Sequence, residues 1–298
     1  MKTILVIGGA SLLGQYLIGE AEAAGYAVHS TFNREEPTDP KERHRLDFTD
    51  AQMTEKTISR LAPDAVFLPA AMTNVDECER NPSEAWRVNV EGTLNVASAC
   101  QRIGAKLLYV STDYVFNGQK AGAYREVDAP DPLSVYAKTK LEGEMVVKDA
   151  SPHNLVCRVC VLYGWNLASK KSNFVTWVID SLRQGKEVRL LTDQCITPTY
   201  APHIASAMVE LMRLDAAGVL HTSGGECLSR HDMGQRIAEV FELDPGLIRP
   251  ADRSQMSFVA VRPDRSCLSV RKVEGLLGTK MITFTEGLID MRSKERMQ

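Results

Sequence analysis

No apolar run in the chain approaches the ~20 residues needed to cross a bilayer. The longest, over residues 4–13, is interrupted by Gly8, Gly9 and Ser11. The N-terminus carries one lysine and then a strand pattern, which does not read as a signal peptide. Charge of one sign is lacking too: 35 Lys and Arg against 38 Asp and Glu give a net charge of −3. That provides no field to draw the protein to nucleic acid or to an anionic membrane, although local basic pockets are compatible with it. The seven cysteines form no framework, being odd in number and irregular in spacing, which fits a reducing cytosol and a cytoplasmic protein. Cys157 and Cys160 form a CxxC, but residues three apart on a strand point to opposite faces, so they read as two buried thiols. His203, His221 and His231 are too scattered for metal-ligand spacing, and no metal is expected. No G-x-S-x-G elbow supports Ser-His-Asp chemistry. The charge-rich end MRSKERMQ reads as a solvated tail without a nucleic-acid footprint.

What is present is an ordinary globular composition, 44 % hydrophobic and 24 % charged over 298 residues, enough for one large or two modest domains. The first half alternates β-rich runs with helical stretches, as a parallel α/β sheet requires. KTILVI, YAVHSTF, DAVFLPAA, AKLLYVST and NLVCRVCVLYG read as strands. LLGQYLIGEAEAAG, AQMTEKTISRLA, a long PSEAWRVNVEGTLNVASACQRIG and VYAKTKLEGEMVVKDA read as helices. Beyond Gly164 the regularity fades into helical segments separated by short strands and by loops carrying Pro198, Pro202, Pro250 and Pro263. Met208 and Met212 follow helical spacing and read as core. The expectation is a Rossmann-type doubly wound parallel sheet over residues 1–164 and a smaller C-terminal α/β substrate domain over 165–298, with the chain crossing back between them.

GGASLLG, residues 8–14, follows the first strand and opens the first helix. A strand, a glycine turn and a helix together aim free N–H groups and a helix dipole at a pyrophosphate. Gly8 and Gly14 hold the outer glycine positions, and Ser11 occupies the middle one. Serine tolerates positive φ poorly, but its hydroxyl is able to bond a phosphate oxygen, so the site reads as altered rather than lost. The end of the second strand, HSTFNR, has no acidic residue to hold the adenosine ribose of NAD. Arg34 stands there instead, and a guanidinium suits a 2′-phosphate. NADP(H) is therefore the expected cofactor, with NAD(H) as the alternative.

A second constellation joins YVSTDYVF (109–116) to VYAKTK (135–140). Tyr136 and Lys140, four apart, share a helix face. A nearby ammonium is expected to lower the tyrosine pKa towards working pH. Ser111 or Thr112, at the end of a buried strand, is placed to hold a substrate carbonyl.

With these motifs the chain resembles an extended short-chain dehydrogenase/reductase, and within that superfamily the dTDP-4-dehydrorhamnose reductase family. The resemblance runs through LDFTD (46–50), PAAMTNVDECE (69–79), VNVEGT (88–93), STDYVF (111–116), YAKTK (136–140) and YG (163–164). It continues through NF (173–174), DQCITPT (193–199), HTSGGE (221–226) and RPDRSCLSVRKVEGLLG (262–278). It implies NADPH-dependent reduction of the 4-keto group of a deoxythymidine-diphosphate sugar. Thr112 would orient the keto oxygen, Tyr136 protonate it, and Lys140 tune Tyr136 and hold the nicotinamide ribose. Gly8, Ser11, Leu12, Leu13 and Gly14 would cradle the pyrophosphate, Asp47 and Phe48 lie near the adenine, and Ala70, Ala71 and Thr73 run along the cofactor. Val75, Asp76, Asp113 and Tyr114 would face the sugar. The implied partner is a nucleotide sugar, with a homodimer as the candidate assembly.

The family pattern R-T-S-W-V-Y reads RVCVLY here (158–163), so Val161 replaces a pocket aromatic. Trp165 either substitutes for it or is ordinary packing. The chain also resembles the regulatory subunit of methionine adenosyltransferase, which shares the fold and the Tyr-x-x-x-Lys pair and binds NADP. A nucleotide-sugar epimerase or dehydratase is a third reading, disfavoured by DQCITPT.

Overall fold

In the computed structural model, which describes residues 1–33, 43–169 and 171–295, strands and helices alternate through much of the first half. Strands β1 (Thr3–Ile7), β2 (Ala27–Phe32), β3 (Arg43–Arg45), β4 (Ala65–Leu68), β5 (Lys106–Thr112) and β6 (Leu155–Val159) are interspersed with helices α1 (Leu12–Ala23), α2 (Ala51–Leu61), α3 (Val75–Arg80), α4 (Pro82–Trp86), α5 (Gly92–Ile103) and α6 (Val135–Ala150). The second half adds β7 (Leu162–Tyr163), α7 (Phe174–Arg183), β8 (Val188–Leu191), β9 (Cys195–Ile196), β10 (Thr199–Tyr200), α8 (Ala201–Arg213) and β11 (Gly218–His221). It ends with β12 (Leu228–Ser229), α9 (Arg230–Phe241), β13 (Ile248–Ala251), α10 (Arg271–Leu277) and α11 (Phe284–Ser293). The central sheet is parallel throughout, in the order β11-β6-β5-β4-β1-β2-β3. This is the Rossmann-type doubly wound arrangement expected from the alternation.

Alternation along each strand fills both faces. Ile4 and Val6 pack with Leu13 and Leu17 of α1 and with Ile204 and Met208 of α8. Leu5 and Ile7 face the other way, onto Ile58 of α2, Val96 of α5 and Val147 of α6. A third cluster, built by α7, α9 and α11 around Tyr163, Tyr200 and Phe284, forms the core of the C-terminal part. Cys157 and Cys160 are both buried and lie in different clusters, as their strand spacing implies.

Several elements differ from the sequence reading. The long helix over 82–104 is interrupted by a π turn at Arg87–Glu91. The wider turn brings Asn89 inward, where its carbonyl accepts from Met72 N at 2.9 Å and its amide donates to Met72 O at 3.1 Å and Thr139 Oγ1 at 3.0 Å. The strand expected to run through Gly164 breaks at Val161, whose φ of +34° is an outlier for a β-branched residue. Its carbonyl accepts from Thr199 N at 3.1 Å, which starts the β7–β10 pair. Pro202 lies in the first turn of α8, and Pro250 in β13, a strand of a two-stranded sheet where a missing N–H is tolerated. The charged end is not wholly a tail: α11 reaches Ser293 and buries Met291. The cysteine reading is corrected at one pair, Cys227 and Cys267, which are disulfide-bonded with Cα atoms 5.6 Å apart. They lie 40 residues apart in sequence and meet because β9 pairs with β12 on one side and bridges to Arg265 on the other. Nothing in the spacing announces that meeting.

α1 begins where Ser11 caps it: Ser11 Oγ accepts from Gly14 N at 3.0 Å. α6 is fixed to the sheet by charge as well as by packing. The buried Glu144 carboxylate accepts from Ser111 Oγ on β5 at 2.5 Å and from Arg158 Nε and Nη2 on β6 at 2.8 and 2.7 Å. The Arg158 guanidinium also stacks over Phe116, 5.1 Å from the ring centroid.

Glu144→Gln, which leaves Arg158 buried without a counter-charge, is expected to cost about 3–5 kcal/mol in urea unfolding. Replacing the pair together, Glu144→Leu with Arg158→Met, is expected to recover most of that loss. Ser11→Ala is expected to cost about 1 kcal/mol and Ser11→Gly only roughly a few tenths, because glycine also serves at a cap. Equal losses for the two Ser11 variants would refute the capping role.

Candidate active site

The carboxyl ends of β1, β4 and β5 open onto one crevice, the place where open α/β sheets bind ligands. Gly8 sits at the end of β1 with φ +95°, and a Cβ there would lie 2.8 Å from Ala70 Cβ. A Cβ on Gly14 would come within 2.2 Å of Gly8 O, so the second glycine lets the helix close on the turn. Ser11, at φ −75°, occupies a position that any residue adopts. The missing middle glycine therefore leaves the backbone unstrained. Because Ser11 Oγ accepts its cap bond, its own O–H is left to donate outward. Helix geometry gives the Leu12 and Leu13 N–H groups no acceptor within α1. Thr31 braces the turn from β2, accepting from Gly8 N at 3.2 Å on its hydroxyl and from Gly9 N at 3.0 Å on its carbonyl. This crowded, donor-lined cradle fits a pyrophosphate.

The other described cofactor candidates lie in the segments after β3 and β4. Asp47 Oδ1 accepts from Thr49 N at 3.0 Å and Thr49 Oγ1 at 2.7 Å. Phe48 is buried against Gly92, where a Cβ would meet its ring at 2.5 Å. Ala70, Ala71 and Thr73 lie in the segment between β4 and α3, which Asn89 clamps through Met72. Arg34 lies outside the described residues.

Thr112 ends β5 and Tyr136 lies on α6, with the Thr112 side chain near enough to its phenol to favour the anion. Burial is the largest influence on that phenol and raises its pKa, with Thr112 pulling the other way. The expectation that Lys140 lowers Tyr136 is thus not met in the protein by itself: desolvation of the phenolate dominates, and Lys140 is not among the groups that act on the phenol. A phenol held protonated is suited to donating a proton. Lys140 is fully buried one turn further on, and burial brings its ammonium down to about 7, opposed by Glu144 and Cys78. Of the two candidate strand-end hydroxyls, Ser111 points away, to Glu144. Thr112 faces Tyr136 and donates to Asp113 Oδ1 at 3.1 Å.

The candidates for the sugar position divide. Asp113 is buried, which raises its carboxyl pKa, while the hydroxyls of Ser266 and Thr112 and the thiol of Cys160 stabilise its anion. Tyr114 is buried edge-on to Tyr136, ring centroids 6.2 Å apart. Val75 is half-buried at the start of α3. Asp76 is committed elsewhere: its carboxylate accepts from Arg262 Nη1 and Nη2 at 3.0 and 2.9 Å and from Val259 N and Ala260 N at 3.2 and 3.0 Å. The Arg262 hydrogen bond holds the Asp76 pKa below its usual value. Trp165 resolves as packing, donating to Met291 O at 2.7 Å and lying edge-on to Phe241.

Sequence reasoning missed Asn89, Thr31, Glu144, Arg158 and Arg262. The motifs VNVEGT and RPDRSCL contained two of them without indicating their contacts.

The whole chain from residue 1 to 297 matches the family model described as RmlD substrate binding domain. A probable low-salt glycan biosynthesis reductase, Agl14, of Haloferax volcanii is 35% identical over 284 residues, covering 95% of each chain. The beta subunit of methionine adenosyltransferase 2 of Bos taurus is 31% identical over 282 residues, 92% of this chain and 82% of that one. Among solved structures, a dTDP-4-dehydrorhamnose reductase from Bacillus anthracis in complex with NADP superposes with a TM-score of 0.88 at 27% identity, covering 99% of this chain and 100% of that one. With this fold, this crevice and these matches, the chain belongs to the RmlD substrate-binding-domain family, that of the dTDP-4-dehydrorhamnose reductases among the extended short-chain dehydrogenase/reductases.

Proposed function

We propose that this NAD(P)H-dependent oxidoreductase reduces the 4-keto group of dTDP-4-dehydro-6-deoxy-L-mannose, or of a closely related nucleotide sugar, to the alcohol. The observation that carries the reading is the approach of Thr112, at the end of β5, to Tyr136 on α6, with Lys140 buried one turn further along that helix. NADPH, when bound, supplies the hydride. Gly8, Ser11, Leu12, Leu13 and Gly14 would hold its pyrophosphate, and Lys140 its nicotinamide ribose.

The chain's own residues then orient the carbonyl and give it a proton. The Thr112 hydroxyl, which donates to Asp113 Oδ1 in the protein alone, turns its O–H to the keto oxygen. Tyr136, kept as a phenol by burial, donates its proton to that oxygen as negative charge develops there. Asp113 and Tyr114 line the approach. Val161 leaves the pocket without the aromatic wall that the family pattern would place there.

Tyr136→Phe is expected to lower kcat by about 10²–10⁴-fold, followed as NADPH oxidation with dTDP-4-dehydro-6-deoxy-L-mannose, while the cofactor still binds. Tight NADPH binding by the unaltered protein without turnover of any keto sugar would overturn the reductase reading. It would favour instead a regulatory role like that of the methionine adenosyltransferase subunit, which a pull-down with the partner enzyme tests directly.

The Lys140 side chain is a cation below about pH 7 and neutral above it. A cofactor that requires the ammonium must take up a proton on binding above that value. NADPH affinity is therefore expected to fall as pH rises from 6 to 9, by up to about tenfold per unit above 7. An affinity flat across that range would remove Lys140 from the binding role.

A further inference from the structure

The mechanism above leaves one large buried side chain at the site without a role. Tyr109, on β5, is fully buried, and Lys140 Nζ lies 4.0 Å from the centroid of its ring. The tyrosine hydroxyl has no hydrogen-bond partner among the described residues. It abuts Gly143, where a Cβ would come within 2.3 Å of it. Thr93 is the one polar side chain that favours the anion of that hydroxyl, without forming a hydrogen bond to it; what the residue presents to Lys140 is its ring.

An ammonium stripped of water needs compensating charge, and the negative face of an aromatic ring supplies some of it. The other titratable groups facing Lys140 are Glu144 on its own helix and Cys78 on α3. Glu144 is already neutralised by Arg158, and burial pushes the Cys78 thiol up to about 11, so it stays uncharged. The ring is thus the group in direct contact with the cation that is not already committed to another charge.

We propose that Tyr109 is a positioning residue, whose ring face carries the Lys140 ammonium and presents it, charged and aimed, to the cofactor's ribose. The proposal rests on the reading of Lys140 as a cofactor-holding residue. Gly143 is part of the same device, because α6 must come close enough to β5 for the ring to reach beneath the lysine.

The test keeps the shape of the ring and changes its charge distribution. Tyr109→Phe and a series of mono-, di- and trifluorinated phenylalanines at position 109 are compared for NADPH affinity, read by cofactor fluorescence between pH 6 and 9. Tyr109→Phe is expected to bind within about twofold of the unaltered protein, since it keeps the ring. Affinity should then fall stepwise with fluorination, to about tenfold weaker for the trifluorinated ring. The pH above which binding weakens should move acidward by about one unit over the series. Tyr109→Leu, if it folds, should match the trifluorinated variant. A flat series, or a Tyr109→Phe variant as weak as Tyr109→Leu, overturns the proposal. Lys140→Met in the same assay separates the two levels: if it binds NADPH as the unaltered protein does, the role of Lys140 falls and the proposal falls with it. If Lys140→Met loses binding while the fluorinated series is flat, only the role of Tyr109 falls.

Discussion

Two opposite charges sealed inside the core, Glu144 and Arg158, set the geometry on which the site depends. An ion pair at this depth gains Coulomb energy only by giving up the hydration of both groups. It is tolerated here because three donors converge on the one carboxylate. The guanidinium fork meets both oxygens and the Ser111 hydroxyl meets one of them. A slip of α6 by one residue would separate those groups and leave two bare charges in an apolar interior. The helix therefore has one register against β5 and β6, and Tyr136, Lys140 and Gly143 inherit it. The precision of the meeting between Tyr136 and Thr112 originates two turns away.

Much of this was legible in the sequence because periodicity reports local structure. The buried parallel strands, the glycine turn, α6 and the Tyr136–Lys140 pair all follow from patterns a few residues long. So does the opposed burial of Cys157 and Cys160. What could not be read depends on contacts between distant segments. Asn89 is an unremarked polar residue in a helical pattern until the π turn brings it onto Met72. Cys227 and Cys267 are unrelated by spacing and meet across β9. The sign of the Tyr136 shift was misjudged for a related reason: a charged neighbour is visible in sequence, whereas the burial that opposes it is a property of the assembled fold.

The segment around Asp113 and Asp76 shows how the two halves of the chain share the work. Asp113 and Asp76 both belong to the first half, and both take partners from the segment 259–266. Those carboxylates hold the C-terminal strap in place, so a charge that looks like a ligand contact in sequence is in one case a tether. Val161 belongs to the same region. Its left-handed backbone turns the chain from β6 to β7 and fixes where the second half begins. Substitutions there act on backbone geometry as well as on the pocket wall.

The crossing of the chain back to the central sheet also bears on how the protein is made. β11 completes the sheet beside β6, and α8 packs beside α1 in the same hydrophobic cluster. Both come from beyond residue 200. While the ribosome has released only the first half, β6 is an open parallel edge and the apolar surface that α8 later covers is exposed to water. Such surfaces invite association with other chains during synthesis. The nascent polypeptide must therefore remain shielded until about three quarters of it has emerged, and a truncated product ending near Gly164 would carry the glycine turn on a scaffold that cannot close.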